Sequence, residues 1–253
     1  MKPADAIPLL ADKLREEKLI LFVGAGLSQG SGLPDWKTLF EPLCKKLNRP
    51  YEDDFPAAAD ELIEKGIYSR NELVEYIVKK IGDINLELNE NHRLLKELPF
   101  KIIITTNYDN LLEDLYGASK LKRIYIDEEM AYFDPQSGKN QLIYLHGDIN
   151  HGKHMVISSA DYQDYANTHR LMARRLELLL QEYTVLFTGY SAADPNLLAV
   201  IDHFRITYRE DARRHFIVIP TPPEKKAHQL RRRYGIEPVI LNHHRELTAF
   251  LQG

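Results

Sequence analysis

The chain has little cysteine, no excess of positive charge and no long apolar run, and each shortage excludes a class of protein. A single cysteine, Cys44, in 253 residues excludes an internal disulfide and a four-cysteine zinc ribbon. The formal net charge of −4 provides no basic footprint for non-specific nucleic-acid binding. No segment reaches the roughly eighteen apolar residues that span a bilayer, so we expect a cytoplasmic protein without a membrane anchor.

What the sequence does contain is a regular alternation of short apolar runs and amphipathic segments of helix length. The runs predicted as strands are Leu19–Val23, Lys101–Thr105, Leu142–Leu145, Met155–Ile157, Thr184–Thr188, Phe216–Ile219 and Val239–Leu241. The segments predicted as helices include Asn110–Tyr116, Thr168–Glu182, Asn196–Tyr208 and Glu224–Tyr234. This alternation predicts an α/β, Rossmann-like fold, in which helices cover both faces of a mostly parallel sheet.

One stretch, from about residue 36 to residue 98, breaks the alternation. It shows helical spacing, for example at Leu73, Ile77 and Ile81, and contains no convincing strand. We predict a single domain over residues 1–253 that carries an α-helical insertion over about 36–98. An insertion at this place, between the first and second strands, can fold over a ligand held at the strand ends.

The first strand runs into a glycine-rich turn, Gly24-Ala25-Gly26-Leu27-Ser28. Glycines after a strand let backbone N–H groups approach a phosphate at the start of the next helix. A third glycine at the dinucleotide-binding spacing is missing, because Gln29 stands there, which argues against a hydride-transferring dehydrogenase. A plain strand-to-helix turn is the alternative interpretation.

Polar residues follow four of the predicted strands. Because ligands in such folds bind beyond the carboxyl ends of the strands, these tails are expected to converge on one crevice. The four tails are Gly24-Ala-Gly-Leu-Ser28, Thr105-Thr-Asn107-Tyr-Asp109, His146-Gly147-Asp148 and Gly189-Tyr-Ser191.

Taken in order, these tails resemble the signature of the sirtuin superfamily: Gly-Ala-Gly-x-Ser, Thr-x-Asn-x-Asp, His-Gly and a late Gly-x-Ser. The sequel Ser31-Gly-Leu-Pro34 is also similar to the Ser-Gly-Ile-Pro of that family, so the resemblance extends from about Leu19 to Ser191. It implies an NAD-binding α/β fold and cleavage of the bond between nicotinamide and ribose.

The missing zinc cysteines separate the chain from the protein-deacylase sirtuins. Pro34-Asp35-Trp36 and the stretch from Gly189 to Asp194-Pro look more like the bacterial sirtuin-like NAD hydrolases of antiphage defence. That resemblance implies an NAD glycohydrolase that yields nicotinamide and ADP-ribose and acts as a regulated effector by NAD depletion. It also implies a homo-oligomer and control by a separately encoded NTPase or nucleic-acid-sensing partner, while the net charge of −4 leads us to expect no direct nucleic-acid binding.

Two residues are expected to carry the reaction. His146 can act as a base toward water or a ribose hydroxyl at neutral pH, and the Asn107 amide offers a donor and an acceptor for the same groups. Asp109 could bind the ribose or the base, or cap the helix that follows it, and Ser28 could bind phosphate or cap a helix. The residues expected to bind the nucleotide are Gly24, Ala25, Gly26, Ser28, Thr106, Asp109, Gly189 and Ser191.

Three histidines lie close together in the sequence and could bind a metal, namely His146, His151 and His154. Their spacing matches no common zinc pattern. We therefore expect no metal, with NAD as the substrate. Two other functions stay open from the sequence. One is a module that senses NAD or ADP-ribose without turnover, and the other is a protein deacylase or ADP-ribosyltransferase.

Overall fold

The computed structural model describes residues 1–52, 54–192, 195–208, 213–243 and 246–253. Asp194, which contributed to the resemblance to antiphage NAD hydrolases, lies outside these residues. The described strands form one parallel sheet in the order β3-β4-β2-β1-β5-β6-β7. Their bounds are Leu19–Val23 (β1), Ile102–Thr105 (β2), Leu121–Ile124 (β3), Asn140–Tyr144 (β4), Thr184–Thr188 (β5), His215–Pro220 (β6) and Ile236–Leu241 (β7).

Helices cover both faces of this sheet, which confirms the predicted fold class. The helices before the fourth strand are Pro3–Arg15 (α1), Ala25–Gln29 (α2), Trp36–Cys44 (α3), Phe55–Glu64 (α4), Arg70–Gly82 (α5), Glu90–Glu97 (α6), Leu111–Tyr116 (α7) and Asp127–Met130 (α8). Those after it are Ser159–Thr168 (α9), Arg170–Glu182 (α10), Pro195–Tyr208 (α11), Glu224–Tyr234 (α12) and Glu246–Gln252 (α13).

The central strand β1 shows why two helical layers form. Side chains alternate along a strand, so Ile20 and Phe22 lie on one face and Leu21 and Val23 on the other. All five residues of β1 are buried. The first pair packs with side chains of α8 to α12, and the second with α1, α2, α6, α7 and α13. A strand buried on both faces has a continuous apolar sequence, as this one does.

Between residues 36 and 98 the described residues form helices and no strand. Helices α3, α4 and α5 build an apolar cluster of their own around Phe40, Leu62 and Ile77. By contrast, α6 packs on α7 and α13, and its Leu95 lies in the core beneath the sheet. The helices that could cover a ligand are therefore α3 to α5.

Two predictions about strands were wrong. Residues 155–157 do not form a strand: Val156 N–H donates to His146 O, 3.0 Å away, while Met155 and Ile157 pack into the cluster of α3 to α5. The edge strand β3 was missed because its sequence, Leu-Lys-Arg-Ile, is half polar. No helix in the described part of the chain is long and apolar enough to cross a membrane.

The order of the strands sets the place of the crevice. From β1 the chain moves to β2 on one side of the sheet, and β5 to β7 lie on the other side. The strand order therefore reverses between β1 and β5. At such a switch point, a crevice opens beyond the carboxyl ends of the strands. The turns that begin at Gly24 and at Gly189 stand there.

Candidate active site

A cavity of about 1280 Å³ lies beyond the carboxyl ends of the strands, between the sheet and the helices α3 and α4. Of the residues predicted to form the site, those that line it are Ala25, Gly26, Thr106, Asn107, His146, Gly189 and Ser191. Gly24, Ser28 and Asp109 do not line the cavity and are buried behind its wall. The volume exceeds the range of about 300–1,000 Å³ of most ligand pockets, which leaves room for a dinucleotide.

The glycines of the first turn serve close packing. Gly26 N–H donates to Gly189 O at 2.7 Å, so this N–H is engaged within the protein. A Cβ at Gly26 would stand 2.8 Å from the same oxygen, and one at Gly189 would stand 2.4 Å from Leu27 N. Gly189 also has a φ of +62°, which side chains other than glycine rarely allow. The contact with Gly189 therefore accounts by itself for a glycine at position 26.

The end of β2 places Asn107 in the cavity wall. Thr105 Oγ1 accepts a hydrogen bond from Asn107 N–H at 3.0 Å and donates to Val23 O at 2.9 Å, which ties the turn to β1. Asn107 is 6% exposed, and its side-chain Nδ2 donates to Ser28 Oγ at 3.0 Å. Asn107 Oδ1 is buried and has no hydrogen-bond partner among the described residues. A buried amide acceptor without a partner is rare unless a ligand or water completes it.

Asp109 lies behind Asn107 and is almost wholly buried. Its Oδ1 accepts the Leu111 N–H at 3.1 Å, at the first residue of α7. The N-cap residue of this helix is Asn110, which makes no side-chain cap bond, so Asp109 bonds the helix from one residue before the cap. Burial raises the pKa of the carboxyl group, and hydrogen bonding by the Leu111 N–H and by the Ser28 and Asn107 side chains opposes this shift. A nucleotide contact through Asp109 would need the wall in front of it to open.

His146 follows β4, the neighbour of β2, and reaches the same cavity. Its side chain is 4% exposed, and its Nδ1 lies 3.5 Å from the hydroxyl oxygen of Tyr162 on α9. The rings of Tyr162 and His146 meet edge to face, with centroids 5.2 Å apart. The backbone bond from Val156 N–H to His146 O holds the turn in place. Asn107 and His146 therefore line the same cavity, each just beyond the end of one of two neighbouring strands.

Aromatic side chains also line the cavity that Asn107 and His146 reach. Trp36 stacks on Phe55 with centroids 4.1 Å apart and meets Tyr108 edge to face. Trp36, Phe55 and Tyr162 all line the cavity. The sequence shows Trp36 at the start of a helix, directly after Pro34-Asp35. It does not show that this helix packs near His146, because that contact depends on the tertiary fold.

The far end of the cavity lies beside β6 and α12. Lys226 Nζ donates to Ser191 O at 2.6 Å, and both residues line the cavity. This bond links α12 to the turn after β5. Lys226 was missed from the sequence, since a lysine on an amphipathic helix carries no distinctive signal.

The other histidines of the metal hypothesis are engaged elsewhere. His151 Nδ1 lies 2.9 Å from Asp148 Oδ1, and the His151 ring stacks on Tyr125. Neither His151 nor His154 lines the cavity. Within the described ranges, no group of three or more metal-ligating side chains is found.

Comparison with known proteins assigns the family. The SIR2-like domain model matches residues 101–239, more than half of the chain, so the chain belongs to this family. Similar curated proteins include an NAD(+) hydrolase ThsA of Bacillus cereus (strain MSX-D12), 29% identical over 261 residues, with 95% of this chain and 54% of that protein covered. Another NAD(+) hydrolase ThsA, of Enterococcus faecium, is 30% identical over 221 residues and covers 84% of this chain and 45% of that protein.

A more distant relative is the defense-associated sirtuin 2 of Bacillus subtilis, 24% identical over 226 residues, with 86% of this chain and 22% of that protein covered. The chain thus spans about half the length of the NAD(+) hydrolase relatives. Among solved structures, a Sir2 crystal structure with an inhibitor, 2′-O-acetyl-ADP-ribose and a deacetylated peptide matches at a TM-score of 0.46 and 15% identity, covering 97% of this chain and 96% of that one.

Proposed function

We propose that this chain binds NAD in the cavity and hydrolyses the nicotinamide–ribose bond to give nicotinamide and ADP-ribose. The proposal rests on one observation: Asn107 and His146 follow the ends of the neighbouring strands β2 and β4, and both line one cavity. Two similar proteins that bear the name NAD(+) hydrolase support the choice of substrate. The remaining cavity-lining residues predicted for the nucleotide are Ala25, Gly26, Thr106, Gly189 and Ser191.

The reaction needs little besides positioning and charge stabilisation. The bond between the ribose C1′ and the nicotinamide nitrogen breaks, its electron pair neutralises the pyridinium, and an oxocarbenium-like sugar remains. A water molecule forms the new bond to C1′ and gives up a proton. We assign that proton to the imidazole of His146, through Nε2, since Nδ1 faces Tyr162. Asn107 Oδ1 would accept a hydrogen bond from a ribose hydroxyl or from this water.

No metal has a part in this proposal, because a neutral leaving group needs no Lewis acid. Chelators are therefore expected to leave turnover unchanged.

In the cell, we propose that the activity serves antiphage defence by depleting NAD in the cytoplasm. The name of the Bacillus subtilis relative, defense-associated sirtuin 2, supports this setting. Free NAD hydrolysis is toxic and requires control. We propose that control comes through homo-oligomerisation or through a separately encoded NTPase or nucleic-acid sensor.

Product analysis tests the activity and separates the three candidate functions. Purified chain is incubated with NAD, with and without an acetylated peptide, and products are separated by chromatography. A hydrolase releases nicotinamide and ADP-ribose in equal amounts without peptide. Tight NAD binding without loss of NAD would instead favour a sensing module, and nicotinamide release that requires the peptide would favour a deacylase.

A further inference from the structure

The cavity extends along the edge of the sheet to a second end, beside β6 and α12, where Pro220, Thr221 and Lys226 line it. In the sheet, β6 is the third strand from β2. Neighbouring strands lie about 4.8 Å apart, so the β6 end is about 14 Å from the turn that carries Asn107. A dinucleotide whose nicotinamide ribose lies at Asn107 and His146 therefore extends its adenosine half toward β6.

One positive charge lies at the β6 end. Lys226 is the one cationic side chain among the described residues that line this end, and it is half-buried. Its Nζ donates to Ser191 O at 2.6 Å. An ammonium group has three N–H donors, so two remain for a ligand. No carboxylate of the described residues lies within ion-pair distance of Lys226. A half-buried cation without a carboxylate attracts an anion into the cavity.

The described residues that line the β6 end include no carboxylate. Apart from Lys226 they are apolar or carry a hydroxyl group, as Ser191 and Thr221 do. The carboxylates that the structure describes along the cavity are Asp35 and Asp54, on the helical insertion, where each accepts a backbone N–H of the helix that it caps. In dinucleotide-binding folds, a carboxylate at the adenosine ribose binds its hydroxyls and selects NAD, whereas a cation there accommodates a 2′-phosphate.

We propose that the β6 end of the cavity accepts a phosphate group on the 2′-oxygen of the adenosine ribose, with Lys226 as its cationic partner, so that the chain hydrolyses NADP as well as NAD. The direction in which the dinucleotide lies rests on the proposed function. The reaction is unchanged: the bond between C1′ and the nicotinamide nitrogen breaks, and the electron pair stays with nicotinamide. Water forms the new bond to C1′ and releases a proton, which leaves 2′-phospho-ADP-ribose.

Calorimetry with two probes isolates the 2′-phosphate without need of turnover. AMP and adenosine 2′,5′-bisphosphate differ only in this group, and we expect the bisphosphate to bind the native chain at least as tightly as AMP does. Lys226→Gln removes the charge and keeps an N–H donor for Ser191 O. The ratio of the two affinities should shift about tenfold against the bisphosphate, the effect of one lost charge-assisted hydrogen bond. Lys226→Arg should restore the native ratio.

Lys225→Gln is the matched control, because Lys225 is the neighbouring exposed lysine and does not line the cavity. It changes the net charge by the same amount and should leave the affinity ratio at the native value. A native chain that fails to bind the bisphosphate, or binds it far more weakly than AMP, would overturn the proposal. An unchanged ratio in Lys226→Gln, or an equal shift in Lys225→Gln, would overturn it as well.

Turnover of the two dinucleotides supplies the second readout. We expect the native chain to release nicotinamide from NADP with a kcat/KM within about tenfold of that for NAD. In Lys226→Gln the ratio of kcat/KM for NADP to that for NAD should fall about tenfold, mainly through KM, because the 2′-phosphate lies far from the bond that breaks. A native chain that hydrolyses NAD but not NADP would overturn the proposal and leave the proposed function intact. A chain that hydrolyses neither would defeat the proposed function, while the affinity ratio would still decide the phosphate site.

Discussion

At the residue scale, single substitutions can separate the contribution of His146 to turnover from that of Tyr162. His146→Ala is expected to lower kcat by about 10²- to 10⁴-fold, the usual contribution of a general base. Tyr162→Phe keeps the edge-to-face ring contact and removes only the hydroxyl that lies 3.5 Å from Nδ1. We expect it to lower kcat less than tenfold and leave KM unchanged.

Steady-state kinetics with NAD measures both effects, and circular dichroism checks the fold of each variant. Near-native kcat in a folded His146→Ala chain would remove His146 from the mechanism. A larger loss in Tyr162→Phe than in His146→Ala would make Tyr162 the more important group and would contradict the role of His146 as the base.

The sequence predicted Asn107 and His146 because each stands directly after an apolar run. Strand ends are visible in a sequence, and the parallel sheet brings them together. It could not predict that Ser28 and Asp109 lie behind the wall, since burial of a polar tail depends on how two turns pack. Tyr162 was also out of reach, because α9 comes to His146 only through the tertiary fold.

At the scale of elements, the β1–α2 turn and the turn after β5 pack closely against each other where both border the cavity. Gly189→Ala would place a Cβ 2.4 Å from Leu27 N, in addition to straining a residue with φ of +62°. The matched control is Gly138→Ala, since Gly138 has φ of +77° and an added Cβ there meets nothing within 4 Å. The control isolates the backbone strain, which costs about 1 kcal/mol.

We expect Gly189→Ala to reduce the free energy of unfolding by clearly more than Gly138→Ala, and to weaken NAD binding as well. Chemical denaturation measures the first effect and calorimetry the second. Equal losses of stability in the two variants would show that the close approach of the two turns contributes nothing.

The strands that the sequence predicted correctly are strongly buried, and the correctly predicted helices have a strong amphipathic periodicity. β1 and β5 were predicted to the residue, and α12 as well. The prediction of a strand at residues 155–157 was wrong because three consecutive apolar residues also occur in buried loops. In the structure, Met155 and Ile157 pack into the apolar cluster of α3 to α5.

At the scale of the whole molecule, buried histidines should make stability depend on pH. Burial lowers the pKa of His92 to about 4 and that of His215 to about 3. Both values lie below the value of about 6.5 for a hydrated histidine, so the unfolded chain binds more protons. The stabilising contribution is complete above about pH 6.5 and declines as pH falls toward 4.

Urea denaturation at pH 7 and pH 5 tests this dependence. We expect the loss of unfolding free energy between these pH values to be smaller in His92→Gln than in the native chain. His228→Gln, at an exposed helix position, serves as control and should match the native chain. An unchanged loss in His92→Gln would show that folding does not lower the pKa of His92.

The joint action of Asn107 and His146 on NAD in one cavity is tested most directly by a double-mutant comparison of nicotinamide release. Rates are measured for the native chain, Asn107→Ala, His146→Ala and the double variant. We predict turnover by the native chain, a loss of about 10²-fold or more in each single variant, and a double variant no slower than the slower single one. Absence of turnover in the native chain, or losses that multiply in the double variant, would contradict this joint action.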